Sequence, residues 1–327
     1  MEFFLPFQIR SFPFKISYTD KILFIGSCFS EEIANKMADL KFKVLQNPNG
    51  ILYDPISITD ALFSYIENKP FDEENLFELN GLWHSWKHHS VFSAMSKKEV
   101  LERTNSSINE AHLFLREAKI LIITFGTAYN YQLKKGFKNV ANCHKAPGNL
   151  FIKKLLPIEE IKPDLLSAIS ALELFNPGLR IIFTVSPVKH IKDGLEENNR
   201  SKARLIETSH AVAEEKENVF YFPSYELVTD VLRDYRFYKK DLVHPNETAI
   251  DYVFEKFSHS YFDTSTHEIM KGIEKILAAV KHKPFFEKSD AHQVFVASQI
   301  QNIKEIEKKY PFINLSKEEQ YFENQVK

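Results

Sequence analysis

The segment "KILFIGSCFSEEIANKM", Lys21 to Met37, joins a short apolar run to an amphipathic pattern through a single glycine. "KILFIG" predicts a β-strand, and the spacing of Ile33 and Met37 predicts a helix directly after it. The turn between them carries two side chains with nucleophilic atoms, Ser27 and Cys28. A strand, a tight turn and a helix in this order favour an α/β fold.

Similar units recur along the chain. The further predicted strands are "FKVLQ", "ILIITFG", "RIIFTVSP" and "VFYFP", and segments of helical period separate them. Successive β/α units predict a three-layer α/β/α sandwich with a central parallel sheet. We also predict a hairpin from Tyr129 to Cys143, a loop at "GLWHSWKHHSVFS", and a later helix with Ala203, Ile206 and Ala213 facing inward.

The strand pattern stops near Phe262, which predicts a main domain over residues 1–262 and a helical appendage over residues 263–327. Ile269, Ile273 and Ile276 mark an amphipathic helix in this second part. Such helices could pack on the main domain or form a homo-oligomer contact, and the pattern does not choose between the two.

Composition excludes several classes of partner. Lys+Arg 42 against Asp+Glu 44 leaves a formal charge of -2, which argues against nucleic acid and anionic membranes. No signal peptide pattern is visible, and the longest apolar runs are about half of what a bilayer needs. With two cysteines and no export signal, we predict a cytoplasmic protein with free thiols. Phosphate-cradling glycine motifs are absent, so no nucleotide cofactor is predicted.

Ligands of open parallel sheets bind beyond the carboxyl ends of the strands, where Ser27 and Cys28 are expected to lie. A second feature, "DLVHP", places Asp241 and His244 three residues apart. In that arrangement a carboxylate can orient an imidazole as a general base. The nucleophile that this base would serve is supplied by the turn with Ser27 and Cys28.

These motifs together resemble the GSCFA family, a branch of the SGNH/GDSL hydrolase superfamily. The resemblance covers about Ile22 to Phe262, and Ser30 stands where the family motif usually has alanine. It is carried by "GSCF", "NPNG", "FGTAY", "VANCHK", "SPVKHIKDGLEENNRSKARL", "FPSYEL" and "RDYRFYKKDLVHP".

The superfamily resemblance implies acyl ester hydrolysis or transfer, with Asp241 and His244 as the late pair and Gly50 as an oxyanion neighbour. Gly126, at the end of a later predicted strand, is a further candidate oxyanion or substrate-binding residue. After it, however, the chain has Thr127 and Ala128 where the superfamily has an oxyanion asparagine. Loss of one such donor costs roughly 2.7 to 4 kcal/mol. Asn142 and His144 are our candidates to replace it, on chemistry alone.

Two alignments of "GSC" with the Gly-Asp-Ser motif of the superfamily give different nucleophiles. A gapless register on Gly-Asp-Ser makes Cys28 the nucleophile, at a helix N-terminus that is expected to lower its pKa. The other register keeps serine chemistry at Ser27 and leaves Cys28 as a small apolar residue. A third interpretation takes both residues as turn and helix-cap residues.

We therefore predict an acyl ester hydrolase that acts on a small-molecule or carbohydrate ester without a cofactor. An acyltransferase and a non-catalytic glycan- or metabolite-binding module are the alternatives. His190 and Arg200 are candidate substrate contacts in a loop that could close over the pocket. His84, His88 and His89, with Trp83 and Trp86, predict either a pocket-lining loop or an ordinary packed loop. Both are favoured over a metal site, because Lys87 lies among the histidines.

Overall fold

The computed structural model describes residues 7–10, 12–286 and 289–326. The strands are β1 (Lys21–Gly26), β2 (Lys43–Gln46), β3 (Leu76–Leu79), β4 (Leu82–Ser85), β5 (Ile120–Phe125), β6 (Tyr129–Leu133), β7 (Asn139–Val140), β8 (Phe151–Leu155), β9 (Arg180–Val185) and β10 (Val219–Tyr221). The helices are α1 (Cys28–Asp39), α2 (Pro55–Glu67), α3 (Lys97–Glu117), α4 (Ile158–Phe175), α5 (Leu195–Ala213), the single turn α6 (Ser224–Glu226), α7 (Glu247–Tyr261), α8 (Thr264–Lys281), α9 (Asp290–Lys309) and α10 (Ser316–Glu323).

Five strands form the central sheet in the order β10-β9-β5-β1-β2. The β1–β5, β5–β9 and β9–β10 pairs are parallel, and Gly26 at the end of β1 lies opposite Thr124 near the end of β5. The predicted α/β fold with a central parallel sheet is confirmed. Since parallel strands end at one edge, the loops after β1, β5 and β9 meet there.

The core explains why these segments pair as they do. β5 is buried at every position, and the helices α2 to α5 cover its strand neighbours with residues such as Tyr65, Leu115 and Leu165. Strands enclosed on both faces need continuous apolar runs, which is the pattern of "ILIITF". None of the helices in the described ranges is long and apolar enough to cross a bilayer.

The structure departs from the sequence-based expectations in three elements. The predicted loop near Trp83 contains the antiparallel hairpin β3–β4, whose turn residues Asn80 and Gly81 have φ of 54° and 76°. The predicted hairpin of β6 and β7 is present, and β8 adds a third strand to it. On α5 the buried face contains Lys202 rather than Ala203, which is exposed.

Contacts divide the chain into two compact units. The first contains residues 7–10, 21–35 and 44–257, with the central sheet. The second contains residues 12–20, 36–43 and the chain from 258 onward. In this unit Tyr18 stacks on Phe42 with ring centroids 4.0 Å apart, and Lys41 pairs with Glu318 of α10 at 2.7 Å. Residues 12–20 and 36–43 thus belong to the same compact unit as the chain from 258 onward, which the sequence did not indicate.

Candidate active site

The turn from β1 to α1 requires glycine. Gly26 has a φ of +140°, and a Cβ there would lie 2.2 Å from the carbonyl oxygen of Thr124. Its amide donates to Oδ1 of Asn47 at 2.8 Å, and the amide of Ser27 donates to the Thr124 carbonyl at 3.1 Å. These bonds tie the turn to β5 and to the loop after β2, and they fix the start of α1 at the carboxyl edge of the sheet.

The two candidate nucleophiles have different surroundings. The side chain of Ser27 is fully buried, and its Oγ has no hydrogen-bond partner among the described residues. Cys28 is half-buried and lines a cavity of about 600 Å³ at the carboxyl edge of the sheet. A substrate in that cavity would therefore meet the thiol of Cys28 before the hydroxyl of Ser27.

The electrostatic surroundings of Cys28 differ from the expectation. Burial raises the pKa of its thiol, and the carboxylates of Glu31 and Glu32 raise it further. The backbone amides of Phe29 and Cys28 itself act in the opposite direction but do not outweigh burial. The prediction of a lowered pKa is wrong, because burial and then the two acidic side chains in the first turn of α1 outweigh the lowering effect of the helix N-terminus.

Asp241 and His244 form the expected pair. Nδ1 of His244 lies 2.8 Å from Oδ2 of Asp241, while Oδ1 of Asp241 accepts the amides of Val243 and His244 at 2.9 and 3.0 Å. Leu242 adopts a φ of 59°, which bends the chain around the carboxylate. The three hydrogen bonds lower the pKa of Asp241 to about 2. Asp241 stays ionised and holds Nδ1, so Nε2 of His244 is the nitrogen left for proton transfer.

His244 lines the same cavity as Cys28. Residues that follow β1, β2, β5 and β9 form part of the wall, and the three-stranded sheet of β6, β7 and β8 forms another part. The lining residues are Cys28, Tyr53, Asp54, Thr127, Tyr129, Tyr131, Val140, Ala141, Asn142, Cys143, Lys145, Ala146, Gly148, Phe151, Lys153, Val188, Lys189, His190, Lys192, Asp193, Val243 and His244.

A buried lysine supports this wall from behind. Lys202 of α5 is 1% exposed, and its Nζ donates to the carbonyl oxygens of Gly126 and Ser186 at 2.5 and 2.7 Å. Burial lowers the pKa of Lys202 to about 7, and ionisation of the nearby Cys28 thiol would act to raise it. Lys202 therefore joins the ends of β5 and β9 close to the thiol.

Four of the predicted substrate or oxyanion residues do not line the cavity. The amide of Gly50 donates to the Asn47 carbonyl at 2.7 Å, and the amide of Gly126 donates to the Tyr53 carbonyl at 2.8 Å. Neither amide is free to bind an oxyanion in this arrangement. His144 and Arg200 also lie outside the wall.

The side chains of His144 and Arg200 are engaged elsewhere. Ring nitrogens of His144 lie 3.1 Å from Ser90 Oγ and 2.7 Å from the Ser85 carbonyl oxygen, and burial lowers its pKa to about 4. Arg200 is exposed and pairs with Glu197 at 2.6 Å. Both side chains are thus engaged by other groups of the fold.

Asn142 and His190 do line the cavity. Oδ1 of Asn142 accepts the amide of His144 at 2.8 Å, and its Nδ2 has no partner among the described residues. Nε2 of His190 is also buried, and it has no hydrogen-bond partner among the described residues. Burial, with the charges of Lys202, His244 and Lys153, lowers the pKa of His190 to about 3, so this imidazole is neutral.

Several lining residues were not predicted from the sequence. Tyr129 and Tyr131 occupy alternate positions on β6, and this period of two was the one signal for a shared face. Asp54 caps α2, accepting the Ser57 amide at 3.0 Å, and it also accepts Nδ2 of Asn130 at 2.9 Å. An aspartate before proline at a helix start predicts the cap, but nothing local predicts the cavity.

The histidine-rich segment contributes no residue to the wall of the Cys28 cavity, although the Trp86 carbonyl accepts the amides of the lining residues Ala141 and Asn142. Nδ1 of His84 is 2.6 Å from Ser93 Oγ, and Nδ1 of His88 is 2.9 Å from Ser85 Oγ, so the two imidazoles bind separate hydroxyls. Trp86 stacks on Phe77 with ring centroids 3.5 Å apart. None of the five predicted residues lines the Cys28 cavity; Trp86 and His88 pack on neighbouring rings, as in the packed-loop interpretation, and His88 also lines a separate cavity of about 290 Å³.

Comparison with known proteins adds two findings. Residues 21–257 match the GSCFA family, and residues 273–327 match the C-terminal domain of GSCFA domain proteins. Among solved structures, the chain is similar to an acetyl xylan esterase (Est2A) from the rumen bacterium Butyrivibrio proteoclasticus. The TM-score is 0.37 and the identity 11%, over 75% of this chain and 64% of the esterase, less than two thirds of its length. A search of curated proteins finds no matching relative.

Proposed function

The chain belongs to the GSCFA family, and from the geometry of its site we propose that it is an acyl ester hydrolase with Cys28 as nucleophile. One observation carries this proposal: Cys28 and His244 line one cavity, and Asp241 binds the far nitrogen of His244. The buried position of Ser27, outside that wall, supports cysteine over serine.

Each group then has one task in the reaction. Nε2 of His244 takes the thiol proton as the sulfur of Cys28 attacks the acyl carbonyl carbon. The ester C–O bond breaks, the alcohol leaves with that proton, and the acyl group remains on Cys28 as a thioester. Water then gives a proton to His244 and attacks the thioester, which releases the carboxylic acid and returns the proton to sulfur.

Because burial raises the pKa of Cys28, the resting thiol is protonated at neutral pH. The base must therefore act during attack rather than before it. The oxyanion would be held by backbone amides at the start of α1 and by Nδ2 of Asn142, which replaces the asparagine missing after Gly126.

The test is hydrolysis of 4-nitrophenyl acetate by the wild type and matched variants. Cys28→Ala should reduce the rate to background and prevent the enzyme from gaining one acetyl group in its intact mass. Ser27→Ala should retain the rate, and Cys143→Ala controls for the other thiol of the cavity. Loss of activity in Ser27→Ala with retention in Cys28→Ala would overturn the assignment.

A non-catalytic binding module is the second candidate. The observation that favours it is that the amides of Gly50, Gly126 and Thr127 all donate within the fold, to Asn47 or Tyr53. Wild-type protein that neither hydrolyses the ester nor retains an acetyl group would favour the module. Adding a sugar hydroxyl as acceptor, with mass analysis of the product, separates hydrolysis from acyl transfer.

A further inference from the structure

We infer that the ester taken by this site is anionic, with a carboxylate or phosphate group that binds lysines on the cavity wall. The inference deepens the proposed function and rests on it. Four of the lining residues are lysines: Lys145, Lys153, Lys189 and Lys192. The whole chain has a formal charge of -2, so this concentration of positive charge is local to the cavity.

The acidic residues of the wall pair with only one of these four lysines. Asp193 forms an ion pair with Lys153 only. Asp54 is buried and accepts the hydroxyl of Ser57 at 2.6 Å, and burial raises the pKa of its carboxyl group. A substrate anion would therefore meet more positive than negative charge.

Two of the lysines are open to a ligand. Within the described ranges, the ammonium groups of Lys145 and Lys192 take part in no ion pair and no hydrogen bond, and both side chains are exposed. Lys189 is held differently, with its Nζ 4.0 and 3.9 Å from the ring centroids of Tyr235 and Tyr238. One pair of lysines is thus free to bind, while Lys189 and Lys153 keep fixed positions.

The positive charge also reaches the interior of the cavity. The charges of Lys202, His244 and Lys153 add to burial in lowering the pKa of His190. At Cys143 the charges oppose one another, because burial and Asp54 raise the pKa of the thiol while Lys192 acts to lower it. The positive potential is therefore concentrated around His190, where a bound anionic group would reduce it.

Aromatic side chains lie beside the lysines. Nζ of Lys153 is 4.3 Å from the ring centroid of Tyr129 and 5.7 Å from that of Tyr131, and Tyr53 and Phe151 also line the wall. Aromatic faces bind flat or ring-shaped ligands, and a volume of about 600 Å³ suits a small molecule. The class of substrate is a small ring compound that bears both an acyl ester and an anion.

The test compares two esters that differ only in charge, 4-acetoxybenzoate and 4-acetoxybenzamide. We expect kcat/KM to favour the anionic ester by about tenfold at low salt, since each exposed charge contact contributes only modestly. The preference should fall as salt is added, because exposed charges are screened. In the double variant Lys145→Gln, Lys192→Gln the preference for the anionic ester should fall to about onefold to twofold.

The matched control is the double variant Lys135→Gln, Lys138→Gln, which removes two exposed lysines of the β6–β7 hairpin that do not line the cavity. It should keep the preference. Inhibition by benzoate and by phenyl phosphate, with benzamide as the neutral comparison, identifies which anion binds better. Equal kcat/KM for the two esters overturns this inference and leaves the proposed function in place. Hydrolysis of neither ester overturns both.

Discussion

Replacing Lys202 with methionine should change how the stability of the protein depends on pH. In the folded chain the pKa of Lys202 is lowered from 10.5 to about 7 by burial, whereas in the unfolded chain it returns to its ordinary value. Between these values the unfolded chain binds more protons, so folding becomes more favourable as pH rises. Below about pH 7 both states are protonated, and the destabilising effect of the buried charge is fully present.

The size of this effect follows from the two pKa values. A tenfold change in a protonation equilibrium corresponds to about 1.4 kcal/mol, and linkage between pH 7 and 9 gives a gain of about 2 kcal/mol in the free energy of unfolding. Lys202→Met removes this gain. It also leaves the carbonyls of Gly126 and Ser186 without their ammonium donor, at a cost of about 1–3 kcal/mol each that does not vary with pH.

Urea unfolding at pH 7, 8 and 9, followed by circular dichroism, measures this difference. The wild type should gain about 2 kcal/mol relative to Lys202→Met across the series. Lys98→Met, at an exposed position of α3, is the control and should follow the wild type. Parallel pH dependence of wild type and Lys202→Met would refute the reasoning.

Three further predictions concern stability. Gly26→Ala should destabilise the protein by several kcal/mol in thermal denaturation, because its Cβ would lie 2.2 Å from the Thr124 carbonyl oxygen. The control is Gly178→Ala, whose closest contact would be at 3.8 Å. Asp54→Ala should cost about 2–4 kcal/mol, because it removes the cap and the acceptor for one hydrogen bond from Asn130. Asp54→Asn, which keeps an acceptor, should cost less, and equal costs in urea unfolding would contradict this explanation. Burial lowers the pKa of His88 to about 3, so the unfolded chain binds the extra proton between about pH 6.5 and 3, and stability should fall as pH drops through that window. His88→Phe should weaken this pH dependence in urea midpoints.

The strands of the sheet were predictable because burial on both faces requires short apolar runs such as β5. The β3–β4 hairpin had a usable local signal in Asn80-Gly81, a pair that favours the type I′ turn. The buried face of α5 had no such local signal in the sequence. Lys202 points inward because its ammonium group donates hydrogen bonds to the carbonyls of Gly126 and Ser186. The position of these two carbonyls is set by the tertiary fold.

The residues of the candidate site also divide into those with a local sequence signal and those without one. Asp241 and His244 are three residues apart, so their pairing is local and was predictable. The role expected for Gly50 depended on its amide, which the turn uses for its own bond to Asn47. The lysines of the wall come from three separate parts of the chain, and no sequence pattern connects them.

The burial of Lys202 also makes its amine a probe of motion. At 1% exposure, its Nζ can react with a dissolved anhydride only when α5 separates from the ends of β5 and β9. Its acylation rate, divided by that of exposed lysines in the same sample, measures how often that edge of the sheet opens. Mass spectrometry of the peptide that contains Lys202 would thus report local opening in the region that carries Cys28.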